Sequence, residues 1–151
     1  TQSPSSAASD VYKRQNLIIL ILGMILGFMI FFPIVVAPSI FKNLNEKQSS
    51  LFLRSFFPKY YLFGIIISLI GLIVSFLEND LIIISSFVLI FVGFLFSRQY
   101  LTPLINKAKD EINKSDNLSK VKFEKLHRFS VLINILQIVI CIIILCYIIM
   151  F

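Results

Sequence analysis

The sequence has little charge and few residues that ligate metals or form disulfides. Only 15% of its 151 residues are charged, against about 25% in ordinary soluble domains, which excludes a soluble globular protein. It has two cysteines and one histidine. Both cysteines, Cys141 and Cys146, lie in one apolar run, which excludes a secreted disulfide scaffold. A monomer with His127 alone cannot ligate a haem through two histidines, and a lone histidine is a poor metal site.

Motifs of well-characterised enzyme classes are also absent. The sequence contains no H-E-x-x-H, no Walker A glycine loop, no G-x-S-x-G and no CxxC. No carboxylate or other charged residue lies within its apolar runs, whereas a coupled carrier normally has an ionisable residue near mid-membrane. We therefore expect a protein that is not an enzyme, with no catalytic residue, no metal site and no cofactor.

Apolar residues dominate the chain instead. They make up 58% of it and form four uninterrupted runs at 17–37, 60–77, 81–97 and 129–151. At about 1.5 Å per residue these runs span roughly 25 to 35 Å, which matches a hydrocarbon core of about 30 Å. The predicted fold class is all-α integral membrane: an antiparallel four-transmembrane-helix bundle with cytoplasmic amphipathic helices at about 45–57 and 103–115.

The first 15 residues differ in composition from the rest. The string SAASDVYKRQ looks like a non-native leader, so we expect residues 16–151 to form the single transmembrane domain. A signal peptide is the competing interpretation. The run at 17–37 is longer than a typical signal-peptide core and no small-residue cleavage site follows it, which favours a transmembrane helix.

The connections between the runs predict the topology. Only Glu78, Asn79 and Asp80 join the second run to the third, which indicates a tight hairpin. The other two connections carry the basic residues Lys42, Lys47, Arg54, Lys59, Arg98, Lys107, Lys109, Lys114, Lys120, Lys122, Lys125 and Arg128. By the positive-inside rule, both basic loops are cytoplasmic and both termini are outside, in the bacterial inner (plasma) membrane.

The basic loops also suggest partners. Topology and anionic headgroups explain their charge, so we expect membrane lipids as partners and no nucleic acid. The candidate lipid-contacting residues are Arg54, Lys59, Arg98 and Arg128. Tyr60, Tyr61 and Tyr100 fall at the predicted membrane boundaries, where interfacial aromatics are enriched.

Local signals predict where the loop helices begin. Asn45 and Gln48 resemble a capping box ahead of LFLRSFF. Thr102 and Pro103 form an N-cap and first-position pair for a second loop helix. Pro33 and Pro38 each remove a backbone donor from the first run, so that helix should kink or end there, either for structural reasons or to form a pocket.

The last run carries one polar stripe. His127, Ser130, Asn134, Gln137 and Cys141 are spaced by three or four residues, so they share one helix face. Lipid disfavours such a face, which therefore points into the bundle. Two interpretations stay open: hydrogen bonds that hold helices together, or a candidate polar cleft formed by His127, Ser130, Asn134 and Gln137.

Small residues predict the packing seams. They recur at helical spacing, which lets helix backbones approach closely. The residues are Gly23, Gly27, Gly64, Ser68, Gly71, Ser75, Ser86, Gly93 and Ser97. The stripe from Gly64 to Ser75 should pack within the molecule, while a homo-oligomer through Gly23 and Gly27 is an alternative.

Four blocks of the sequence resemble a known family. FFPIVVAPSIF, LFLRSFFPKYY, RQYLTPLINKAKDE and KFEKLHRFSVLIN look like blocks of the bacterial domain-of-unknown-function 4149 family, which is similar to the eukaryotic transmembrane protein 205 group. The resemblance covers about residues 20 to 140. The matching motif positions are Pro38, Phe41, Phe57, Pro58, Pro103, Phe123, His127, Ser130 and Asn134.

The resemblance implies a small four-helix integral membrane protein and supplies no biochemical activity. The eukaryotic relatives are associated with tolerance to a platinum drug, and a more distant likeness to copper-resistance-type membrane proteins makes metal handling an alternative. Those proteins use several histidine or methionine ligands that this chain lacks.

Three hypotheses of function follow. The first is a non-enzymatic membrane or lipid-associated accessory protein, whose polar stripe stabilises or lines a central cleft. The second is a small oligomeric transporter or a metal- or drug-tolerance protein, with Asn134, Gln137 and the first helix forming the path. The third is a haem- or metal-linked membrane protein that uses His127 from two copies.

Overall fold

A computed structural model describes residues 4–112 and 117–150. Within those two ranges the regular elements are all helical and no strand is present. In chain order they are α1 (Pro4–Phe31), a π-helical turn (Phe32–Val36), α2 (Ala37–Asn43), α3 (Glu46–Phe76), α4 (Leu81–Phe96), a second π-helical turn (Ser97–Leu101), α5 (Thr102–Ile112) and α6 (Asn117–Met150).

These elements form four long helices, because each π-helical turn joins its neighbours without a break. The four are Tyr12–Asn43, Glu46–Phe76, Leu81–Ile112 and Leu118–Met150, each long and apolar enough to cross a membrane. α3 packs against α1 and α4, and α6 packs against α1, α4 and α5. The predicted all-α class with four transmembrane helices is confirmed, and the chain is a multi-pass membrane protein.

The bundle interior is apolar over much of its length. On α1 the buried side chains Ile18, Leu22, Ile25 and Met29 recur at helical spacing. Other large apolar side chains of the same helix, such as Leu20, are exposed on the opposite face. Such a surface is suited to lipid, since exposed apolar area carries no cost there.

The segments expected as loop helices continue the membrane helices. Residues 46–57 form the first turns of α3, which passes through Pro58 without ending. The predicted capping box is present: Gln48 N donates to Asn45 Oδ1 at 2.9 Å, and Asn45 N donates to Gln48 Oε1 at 3.2 Å. This box begins a 31-residue helix rather than a short one.

Two prolines are accommodated by π-helical turns. Pro33 lies inside the first such turn, so the first helix continues past it with a shifted hydrogen-bond register. Pro103 follows the second turn, and Thr102 has helical dihedral angles (φ −60°, ψ −47°). The prediction that Thr102 caps a separate helix is therefore wrong. Its hydroxyl instead donates to the Ser97 carbonyl at 2.7 Å, while the widened turn makes room for the proline ring.

The glycines of α3 lie at a close helix contact. A Cβ atom at Gly64 would approach the Phe94 ring to 2.8 Å, and one at Gly71 would overlap the Phe87 ring. The predicted stripe on α3 thus faces α4. Gly23 and Gly27 differ, because both are exposed and a Cβ atom at either would meet nothing within 4 Å.

The connection between α3 and α4 closes the end of the bundle opposite to the basic loops. Asn79 has a φ of 55°, a conformation that asparagine adopts more readily than most residues. Asp80 then caps α4 by accepting from Ile82 N at 2.8 Å and Ile83 N at 3.4 Å. The Tyr147 hydroxyl of α6 donates to the other Asp80 oxygen at 3.0 Å.

Candidate functional site

Two adjacent cavities, together called the cleft, occupy the loop-side end of the bundle, the end where the α2–α3 and α5–α6 connections lie. The cleft consists of an outer cavity of about 540 Å³ and an inner cavity of about 470 Å³. Both volumes are typical of ligand pockets, which measure roughly 300–1,000 Å³. The lining residues common to both cavities are Phe41, Leu53, Phe57, Ile105, Asn106 and His127.

The walls of the outer cavity are mostly apolar, but they carry the charged side chains Glu46, Arg54 and Lys109. Lys109 Nζ donates to Glu46 Oε1 at 3.1 Å, yet the Glu46 side chain is 88% exposed. Arg54 forms an ion pair with Asp110 across the gap between α3 and α5. Two cations thus lie at the cavity, and each is paired with a carboxylate that solvent can reach.

One aromatic ring, that of Phe123, contacts both the lysine and the histidine of the outer cavity. Lys109 Nζ lies 5.5 Å from the centroid of the Phe123 ring, within the range of a cation–π contact. The His127 ring stacks on the same phenyl ring, with centroids 6.0 Å apart and an interplanar angle of 9°. His127 is exposed and lines both cavities.

The inner cavity has apolar and aromatic walls. Phe32, which begins the first π-helical turn, packs against α3 with its ring 5.2 Å from Phe57 and 5.7 Å from Tyr60, measured between centroids. Met29 and Ile138 lie at the deeper end of the same cavity lining. An apolar ligand segment would be surrounded here by side chains of α1, α3 and α6.

A group of three polar side chains interrupts this apolar lining. Tyr61 Oη and Ser130 Oγ are 3.2 Å apart, and Asn134 Nδ2 donates to Tyr61 Oη at 3.4 Å. Asn134 Oδ1 is buried and has no hydrogen-bond partner among the described residues. Tyr61, Ser130 and Asn134, which we call the polar trio, therefore leave one acceptor unpaired beside the inner cavity.

The inner cavity opens sideways between the first helix and α6. Residues 32–43 have no Cα atom within 8 Å of the described part of α6, although α1 packs against α6 further from the loop-side end. Pro33 on one side of this gap and Val131 and Ile135 on the other are exposed and line the cavity. We call this opening the lateral gap.

The structure divides the predicted polar stripe of α6 between two environments. His127, Ser130 and Asn134 line the cleft. Gln137 does not, because its Nε2 donates to the Ile90 carbonyl of α4 at 2.8 Å. Cys141 is buried further along the same face. The stripe thus contains both predicted kinds of residue, helix-to-helix contacts and cleft lining.

The candidate lipid-contacting residues have different surroundings. Arg54 lines the outer cavity, whereas Arg98 Nε donates to the Pro58 carbonyl at 3.2 Å. Arg128 is exposed and lies 3.7 Å from Glu124 on its own helix. Lys59 is exposed on α3.

Sequence reasoning missed two residues of the cleft. Tyr61 was expected at the membrane interface, but it is only 2% exposed and bonds within the bundle. Its position three residues before Gly64 places it on the buried stripe of α3, a signal that could have identified it. Lys109 was counted only among the loop cations, although it follows Ile105 by one helical turn.

A metal-binding interpretation gains no support from the side-chain geometry. Within residues 4–112 and 117–150, no three histidine, cysteine, aspartate or glutamate side chains come together as ligands.

Comparison with known proteins gives one match. The model of the family described as a domain of unknown function (DUF4149) matches residues 20–114, from within α1 to just beyond α5. No curated protein matches the chain, and no solved structure does. The similarity to the eukaryotic transmembrane protein 205 group stays a prediction. The family model matches more than half of this four-helix membrane chain. The chain therefore belongs to the DUF4149 family.

Proposed function

We propose that this protein is a non-enzymatic accessory protein of the bacterial inner membrane that binds an anionic membrane amphiphile in its cleft. The observation that carries this proposal is that the two cavities adjoin and share six lining residues. The charged end faces the basic loops, and the apolar end opens through the lateral gap to the region that lipid would occupy. An anionic amphiphile likewise has a charged group at one end and an apolar chain at the other.

The outer cavity suits an anionic headgroup. Exposed ion pairs contribute only about 0–1 kcal/mol, so a headgroup can displace the Glu46 carboxylate from Lys109 at little cost. The guanidinium of Arg54 has more donors than its contact with Asp110 uses, and it can bind an anion while that pair persists. The charged lining residues Glu46, Arg54 and Lys109 carry a net positive charge, while Asp110, the partner of Arg54, lies outside the lining.

The inner cavity suits an acyl chain. Its aromatic walls offer a large apolar contact area, and the lateral gap lets a chain enter from the bilayer without crossing the polar mouth. Beyond Met29 and Ile138 the core closes, with Ile25 and Cys141 fully buried. This closure favours binding over passage across the membrane, so the cleft supports a lipid-associated role better than a transport path through one copy.

The orientation belongs to the same proposal. Basic loops on the cytoplasmic side place the outer cavity at the cytoplasmic face, where anionic headgroups attract cations at about 1 kcal/mol for each lysine or arginine. A reporter that is active only in the cytoplasm should be active when inserted at residues 113–116 and inactive when fused to the C-terminus. Activity at the C-terminus would overturn the orientation.

Native mass spectrometry of the purified full chain tests the binding. We expect phosphatidylglycerol and stearate to remain bound where phosphatidylethanolamine does not. Arg54→Gln and Lys109→Gln should each lower the occupancy about fivefold, as expected for loss of one cation at about 1 kcal/mol. Lys107→Gln is the matched control, since Lys107 is an exposed residue of the same helix outside the cleft lining. Equal loss in all three variants would contradict the proposal.

A further inference from the structure

We infer that the cleft couples ligand binding to protonation: His127 takes up a proton when an anionic headgroup binds, so the affinity rises as the pH falls. The inference rests on the proposed function and adds a regulation of the same site. Three observations carry it: the position of His127 at both cavities, the charges that face it, and its exposure to solvent.

His127 lies where the two cavities adjoin, since it lines both of them, as Asn106 does. Arg54 reaches this boundary, because its Nη2 atom lies 3.5 Å from the Asn106 carbonyl oxygen. Lys109 and the His127 ring both contact the ring of Phe123. An anion that either cation binds in the outer cavity therefore shares that cavity with the imidazole, and the charges of the two groups interact.

The charged groups that face His127 across the outer cavity come from two helices. α3 contributes Glu46 and Arg54, and α5 contributes Lys109. A nearby cation disfavours a proton on an imidazole, and a nearby anion favours it. Two cations and one exposed carboxylate therefore oppose the imidazolium form, until an anionic headgroup adds a second negative charge.

Charged residues of the surrounding helices outside the lining are paired or exposed. Their carboxylates form ion pairs: Asp110 with Arg54, Glu111 with Lys122, and Glu124 with Arg128. Other basic residues at this end are exposed, namely Lys42, Lys47, Lys107, Lys120 and Lys125. A bound headgroup is therefore the negative charge that enters the surroundings of His127.

The exposure of His127 lets protons reach its ring from solvent. Histidine is the side chain whose ordinary pKa falls between about 5 and 8, whereas carboxylates, ammonium groups and guanidinium groups ordinarily titrate outside this range. Among the side chains that line the outer cavity, the imidazole is thus the one that a moderate change of pH would charge. Proton uptake and anion binding at the same site then favour each other.

The affinity for phosphatidylglycerol at two pH values tests the inference. Its phosphodiester keeps one negative charge between about pH 5.5 and about pH 8, the range in which histidine titrates. We expect the purified full chain in neutral detergent micelles to bind fluorescent phosphatidylglycerol about fivefold more tightly at the lower pH. This is the effect of one additional cation near an anionic headgroup.

Two variants assign the pH dependence to the imidazole. His127→Gln keeps a polar side chain that cannot take up a proton, so the affinity should no longer vary with pH. Glu46→Gln is the matched control, because it removes the carboxylate of the outer cavity lining and leaves the histidine; the pH dependence should remain. A dependence that survives in His127→Gln, or that is lost in Glu46→Gln, would overturn the inference.

The unmodified chain offers a direct readout, because His127 is its one histidine. NMR of the isotope-labelled imidazole should show a titration midpoint that rises by about 0.7 pH units when phosphatidylglycerol replaces phosphatidylcholine, since the coupling of proton and ligand is reciprocal. Lys107→His adds a reference histidine at an exposed position of α5 outside the cleft lining. Its midpoint should rise less. Equal rises at both histidines would report only the surface potential of the anionic micelle and would overturn the inference.

The remaining failures separate this inference from the proposed function. Equal affinity for phosphatidylglycerol at both pH values would overturn the inference and leave the proposed function intact. Failure of every anionic amphiphile to bind at either pH would overturn both. If His127→Gln lacks a cooperative thermal transition, the NMR titration of the unmodified chain decides the matter.

Discussion

The ring of Phe87 on α4 occupies the space that any side chain at Gly71 on α3 would need. The contact is part of the seam where the small stripe of α3 meets aromatic residues of α4. Helices in lipid gain no hydrophobic drive from meeting each other, so close packing of this kind supplies much of their association.

Gly71→Ala should therefore destabilise the fold. Overpacking of a filled core costs typically 1–3 kcal/mol, which exceeds the gain of about 0.5–1 kcal/mol from replacing a helical glycine by alanine. Gly23→Ala is the control, since a Cβ atom there meets nothing within 4 Å and only the gain applies. Unfolding free energies in mixed micelles check both. A loss in Gly23→Ala would instead point to a second copy packed on α1.

Loss of the Gln137 hydrogen bond should have a modest cost. Side-chain hydrogen bonds between membrane helices contribute about 0.6 kcal/mol on average and at most about 1.7. Gln137→Met keeps the length of the side chain and removes the 2.8 Å bond to the Ile90 carbonyl, so we expect a loss of about 1 kcal/mol or less. A larger loss would mean that Gln137 has a role besides this bond.

The Arg54–Asp110 pair should couple α3 to α5 weakly. Its side chains are 40% and 60% exposed, and exposed pairs measure about 0.2–1 kcal/mol in double-mutant cycles. A cycle of Arg54→Gln and Asp110→Asn should give a coupling energy in this range that falls as salt is added. The same cycle on Glu124 and Arg128, which lie on one helix, is the reference. A salt-independent coupling would contradict the exposed geometry.

Asp80 should contribute to stability in two ways. Asp80→Ala removes the N-cap of α4, with an expected cost of about 0.5–2 kcal/mol, together with the contact to Tyr147. Asp80→Asn keeps a capping oxygen and should cost less, while Tyr147→Phe leaves the cap in place and removes the 3.0 Å bond between the two residues. Thermal unfolding in micelles ranks the three. An Asp80→Ala variant as stable as Tyr147→Phe would show that the cap contributes nothing.

The sequence predicted the membrane class and the four helices because these depend on composition and run length. No charged residue interrupts any of the four apolar runs, so these runs are suited to a lipid environment. The capping box at Asn45 was also predictable, since it depends on residues three positions apart. The sequence did not predict that the helices continue through Pro33 and up to Thr102. A π-helical turn depends on how neighbouring helices hold the chain on both sides of a proline.

The candidate site was predictable only in part. The spacing of the α6 stripe identified His127, Ser130 and Asn134, since their shared face follows from helix geometry alone. The same spacing could not show that Gln137 turns to α4 instead, because only the packing of α6 against Ile90 decides this.

Tyr61 lies on α3, Lys109 lies on α5, and the lateral gap lies between residues 32–43 and α6. The local sequence does not determine the distances between elements that are far apart in the chain. The sequence by itself therefore determined the solvent, the number of spans and the faces of the helices. The tertiary structure decided which of those faces meet and where they part, and it places the cations of the outer cavity beside an inner cavity that contains the polar trio.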